Sequence, residues 1–205
     1  MKLWTEFYDT LLPDVPGCNP AMANIALRHA AREFCERTKA WDEWRGPQLT
    51  VATSIQYDFD IATTEEVVKL LGATLAGCDL KVLSVNDLPN NWQTYTGCTS
   101  GILTQDRRTF YVIPQREAGI EIRTRVALKP SNKGTGVSDE LFAHYLEDIC
   151  VGARARLHTS IKKPYTDKTT AAECRSDFDQ RMAKVARAVE KSFSRVPRRV
   201  IPNFF

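Results

Sequence analysis

The chain has 205 residues, 43% of them apolar and 26% charged, with a formal net charge of +3. This is ordinary globular composition, enough for one good core or two small packed layers, and a single domain is the default expectation. It excludes a membrane-spanning helix, because no apolar run approaches the roughly 20 residues a bilayer requires. The opening Met1-Lys2-Leu3-Trp4-Thr5-Glu6 is too acidic and too short in apolar length for a signal peptide, so a soluble, cytosolic protein is expected.

The basic character sits at one end. Residues 151–205 carry 13 Lys and Arg against 5 Asp and Glu, while residues 1–150 carry 15 against 20, so the two parts have net charges of +8 and −5. Six cysteines (Cys18, Cys35, Cys78, Cys98, Cys150, Cys174) lie far apart without a C-x-x-C pair or a histidine at ligand spacing, which argues against zinc, redox chemistry and a disulfide framework. Cys35 and Cys150 fall inside expected helices and read as small buried apolar residues.

In chain order, Pro13 and Pro16 suggest an extended approach, Gly17 a sharp bend, Asn19 a helix cap and Pro20 the first helical position. From Pro20 to about Thr38, Ala23, Leu27, Ala30, Ala31 and Phe34 recur at helical spacing, and Arg28, Arg32, Glu33, Glu36 and Arg37 fill the opposite face. Trp41 and Trp44 follow as expected core lids. Between Pro47 and Pro130 the period changes to two. Residues 49–61 read as a half-buried strand through Ile55, Tyr57, Phe59 and Ile61, and residues 66–75 and 81–85 as two strands around a turn. Residues 101–104 and 109–113 read as strands flanking the polar turn 105–108, and 119–128 as a strand stopped by Lys129-Pro130. Short connections imply antiparallel pairing throughout.

The last part is helical. Ser138, Asp139 and Glu140 mark a helix start followed by a stripe of Phe142, Tyr145, Leu146, Ile149, Ala153 and Leu157. A second helix is expected from about Thr169 to Phe193 with Ala171, Cys174, Phe178, Met182, Val185 and Val189 on one side, the two forming an antiparallel hairpin. Residues 194–205 leave as an extended tail, since Pro197 and Pro202 cannot continue a helix. The expected class is therefore α+β: an N-terminal arm and helix (1–45), an antiparallel β region (46–130), a helical hairpin (131–193) and an extended tail (194–205), all in one domain.

Catalytic signatures are missing from the sequence: it has no G-x-S-x-G, P-loop, G-x-G-x-x-G or H-E-x-x-H motif and no tight carboxylate cluster. His29, His144 and His158 read as surface or satisfied helix residues. Asp58 and Asp60 on alternate strand positions fit a metal site or, as easily, a solvated edge. Neither a cofactor nor a metal is expected. Two features could act by binding. The first is the basic helical pair, with Arg154, Arg156, Lys162, Lys163, Lys168, Arg175, Arg181, Lys184, Arg187 and Lys191; a solvated face is the leading interpretation and a nucleic-acid surface the alternative. The second is the tail, where Arg198, Arg199, Val200, Ile201, Phe204 and Phe205 combine cationic and bulky apolar groups. It either folds back on its own core or meets a groove on a partner.

The run Leu11-Leu12-Pro13-Asp14-Val15-Pro16-Gly17-Cys18-Asn19-Pro20, the helix 26–38 with Trp41 beyond it, the strand close Val126-Ala127-Leu128-Lys129-Pro130-Ser131 and the final helical hairpin together resemble head-to-tail adaptor (connector) proteins of tailed bacteriophages and prophages. The likeness covers most of the chain in order and is best in the first 45 residues. It implies a structural, non-enzymatic virion protein at the neck, assembled in the host cytoplasm. In such proteins about twelve copies form a ring beneath the portal, extend the DNA channel without reading its sequence, and present a platform to the tail or nozzle protein. The implied partners are thus the portal, the tail, further copies and passing genomic DNA, with no membrane. The resemblance also implies that Arg198 to Phe205 reach the portal or a neighbouring subunit. The alternatives are a stopper or tail-completion protein and a basic nucleic-acid-binding module.

Overall fold

Apolar side chains at four-residue spacing begin earlier than the first proline. Phe7, Leu11 and Val15 are all fully buried, and in the computed structural model, which describes residues 1–88, 92 and 101–191, the chain is helical from Trp4 to Asp14, with Val15 just past the last turn. Helix α1 (Tyr8–Leu11) continues into a 3-10 turn at Leu12–Asp14. The expected extended approach is therefore corrected: burying that stripe requires helical turns, and Pro13 fits near the start of one, where no N–H is needed. Gly17 then turns the chain with φ of +79°, and Asn19 Oδ1 accepts from the Ala21 N–H at 2.8 Å to cap α2 (Pro20–Thr38).

Two residues of strand β1 (Lys2–Leu3) pair with β9 (Gly136–Val137). The remaining strands form one curled seven-stranded sheet: β2 (Asp42–Leu49), β3 (Gln56–Asp58), β4 (Glu65–Leu75), β5 (Cys78–Val82), β6 (Gly101–Leu103), β7 (Thr109–Ile113) and β8 (Glu121–Pro130), in the order β2-β8-β4-β5-β6-β7-β3. The β4–β5 hairpin turns on Ala76 and Gly77, both at positive φ, as the tightest hairpin turns require. Its two outer strands come close again, with Gln48 Nε2 donating to the Asp58 carbonyl at 2.9 Å.

Four expectations for this region are revised. The pair β5·β6 is parallel, made possible by the long connection between them. The strand expected over 49–61 shrinks to β3, although Tyr57 and Phe59 keep their inward alternation. In its place β2 forms from Asp-Glu-Trp-Arg-Gly-Pro-Gln-Leu, whose polarity hides the strand period, and Trp44 there is 53% exposed while only Trp41 is a buried lid. Finally, β8 runs through Pro130, because β2 ends short of it and the missing N–H leaves no ladder bond unmade.

Helix α3 (Asp139–His158) starts at Ser138, whose Oγ accepts from the Leu141 N–H, and α4 (Lys168–Glu190) at Asp167, which accepts from Thr169 and Thr170. They are antiparallel, with Asp148 opposite Arg181 and Gly152 opposite Phe178. Both pack with α2, whose alanines allow close approach, over the inner side of β8 at Ile122, Val126 and Leu128. Phe34 touches Tyr145 and Phe178 at ring distances of 5.1 and 6.4 Å, joining all three helices. Leu83, Trp92, Leu103 and Ile113 form a separate small cluster at the β6–β7 end.

Candidate interaction surfaces

The basic helical pair is partly neutralised from within. Arg175 donates through two nitrogens to Glu33 of α2 at 3.0 and 2.6 Å, and to Asp179 one turn along α4. Arg156 reaches the same Glu33 at 2.7 Å, Arg154 pairs with Asp14, and Arg181 with Asp148 and Asp177. These bonds hold the Glu33 carboxyl below its ordinary 4.5, the Arg175 hydrogen bond being the main cause, against the opposing effect of burial. Four of the ten cations therefore staple helices together, and what the sequence presents as a basic face is in good part an ionic seam. Spacing alone could not show this, because Glu33 and Asp14 lie more than 100 residues away along the chain.

The other candidates divide. His158 is buried, with Nδ1 2.7 Å from the Tyr165 carbonyl, a satisfied structural position. His29 is pushed below the ordinary histidine range by burial and by Arg156, Arg32 and Arg28. Asp58 and Asp60 are exposed, and among the described residues no three His, Cys, Asp or Glu side chains form a metal-ligating group. Cys35 and Cys150 are buried as expected, and burial pushes the Cys150 thiol up to about 12, well away from a reactive thiolate. Arg198, Arg199, Val200, Ile201, Phe204 and Phe205 lie outside the described residues.

A surface that sequence reasoning missed lies at the start of β2. A groove of about 410 Å³ runs between Ala40-Trp41-Asp42 and the first half of α3, lined there by Glu140, His144 and Tyr145. Beside it a second hollow is lined by Glu43, Glu65 and Asp139. Two elements build this wall: the cap at Ser138 fixes where α3 begins, and α3 departs from helical geometry at Tyr145 (φ −132°, ψ 19°). β2 is an outer strand, paired among the described residues only with β8. Since the Leu128 N–H donates to the Trp41 carbonyl, antiparallel alternation turns the backbone N–H and C=O of Asp42 and Trp44 to the open side. The signal in the sequence was faint: two tryptophans next to acids, with no periodicity.

Neither a protein-family model nor a curated protein matches this chain. The α+β architecture and the surfaces described above are accordingly the basis for a functional reading. No described helix is long and apolar enough to cross a membrane.

Proposed function

We propose that the chain is a head-to-tail adaptor of a tailed phage or prophage, a structural protein that assembles as a ring of about twelve copies between portal and tail. The observation that carries this reading is the order of elements, a capped N-terminal helix, an antiparallel-rich sheet and a C-terminal helical hairpin, on a sequence whose first 45 residues resemble that family. A ring subunit needs complementary flanks more than a pocket, and the open edge of β2 with exposed Trp44 and Leu49 supplies one. In this reading the portal and the tail or nozzle protein are partners, genomic DNA passes without sequence readout, and Arg198, Arg199, Val200, Ile201, Phe204 and Phe205 contact the portal or the next subunit. The ion pairs at Arg154, Arg156, Arg175 and Arg181 weigh against the rival nucleic-acid module, because those cations already have carboxylate partners.

The test is the mass by light scattering, alone and with the candidate portal. A ring, or a monomer joining the portal at a fixed ratio near about twelve, is the expected result. A monomer indifferent to the portal overturns the reading and favours the nucleic-acid module, whose binding would weaken steeply with salt.

A further inference from the structure

We propose that the groove beside β2 is a strand-addition site, and that in the unassembled protein it is filled by the segment Arg198–Phe205 of the same chain. The groove has three properties that select such an occupant. Its backbone offers the N–H and C=O groups of Asp42 and Trp44, unpaired among the described residues, which an extended segment can use in register. Its wall offers apolar and aromatic surface from Trp41, Leu141 and Tyr145. Its charge is acidic: Asp42, Glu43, Glu65, Asp139 and Glu140 are set against Arg125, Arg45 and the Met1 amine, and Glu140 has no salt-bridge partner among the described residues.

The segment answers each property. Residues 192–205 contain three arginines and no acid, with Val200, Ile201, Phe204 and Phe205 as apolar partners. Arg198-Arg199-Val200-Ile201 lies between Pro197 and Pro202, so it is barred from a helix yet keeps all four N–H groups for pairing.

The connection is short. Asp148 lies opposite Arg181 and Tyr145 shares a hollow with Val185 and Ala188. Continued at that spacing, the antiparallel register brings Lys191 level with Ser138, which lines the groove. Arg198 lies seven residues beyond Lys191, and at about 3.3 Å per extended residue that connection can span on the order of 20 Å. Tethering at this range gives an effective concentration on the order of millimolar, enough to hold a contact that a free peptide would make weakly.

This inference does not depend on the adaptor reading. If both hold, portal and groove compete for one segment, and assembly withdraws it from β2.

The experiment is amide hydrogen exchange on the full chain. The Asp42 and Trp44 amides are expected to be protected, and Arg198→Glu with Arg199→Glu to speed their exchange about tenfold or more while amides in α2 stay unchanged. Adding Glu140→Lys to that double variant should restore protection, and a synthetic peptide of residues 196–205 should protect the double variant but not the parent. Rapid exchange at both amides in the parent, or identical exchange in parent and double variant, overturns the proposal. So does protection that grows with protein concentration as the mass doubles, which would assign the groove to a second copy.

Discussion

Along the seam where α4 meets α2 and α3, arginines find carboxylates and the closest approach is made at a residue without a side chain. A Cβ on Gly152 would stand 2.6 Å from the Phe178 ring, and Glu33 draws Arg156 and Arg175 onto one carboxylate. At β2 the opposite holds. The strand keeps one side open, Trp44 and Leu49 are exposed, and acids crowd a groove. Helices satisfy most of their own backbone and can be closed off by side chains alone, whereas an outer strand carries backbone groups left to water until another chain segment pairs with them. Stability is therefore concentrated at the seam, and availability for binding at the edge.

The sharpest way to break this contrast is to empty the seam. Phe178 is fully buried between Phe34 and Gly152, so Phe178→Ala should cost about 3–5 kcal/mol and lower Tm by on the order of 10 °C in a thermal melt. Overfilling the same place comes next. Gly152→Val forces the Phe178 ring aside and should cost about 2–3 kcal/mol, whereas the same change at a roomy helical glycine would be mild.

Third is the ionic part of the seam. The folded Glu33 pKa lies below the unfolded value of 4.5, so its contribution is fully present above that pH and disappears as pH falls through the lowered folded value. Glu33→Gln should therefore destabilise by about 1 kcal/mol at neutral pH, and urea titrations of parent and variant should converge in acid. A difference that persists unchanged below that range would show that the pair acts through packing instead.

The smallest effect is expected at the edge. Trp44→Thr should change stability by about 1 kcal/mol or less, since the ring is 53% exposed and threonine suits a strand. If binding lives at this edge, the variant should still reduce association with the portal in the light-scattering assay. A loss of several kcal/mol in the monomer would instead place Trp44 with the core.

The sequence by itself determined the parts of the fold that local physics writes down. Asn19-Pro20 and Ser138 announce helices because a cap needs only the next turn. The alternation in 121–126 announces a strand buried on one face. The three long helices were legible because their apolar stripes are periodic, while their packing into one core was not. Tertiary structure decided the rest, for reasons that local pattern does not contain. Phe7 and Leu11 turn helical ahead of the prolines because the core beneath them rewards a buried stripe that Val15 completes just past the last turn. β2 is a strand although its residues do not alternate, because β8 supplies a ladder of hydrogen bonds on one side. Arg154, Arg156 and Arg175 of the basic helices belong to a seam rather than to an open cationic face, because folding brings Glu33 and Asp14 from the opposite end of the chain to meet them. The acidic groove exists only where the beginning of one strand meets the beginning of one helix, two places that lie almost 100 residues apart in the chain and close together in the fold.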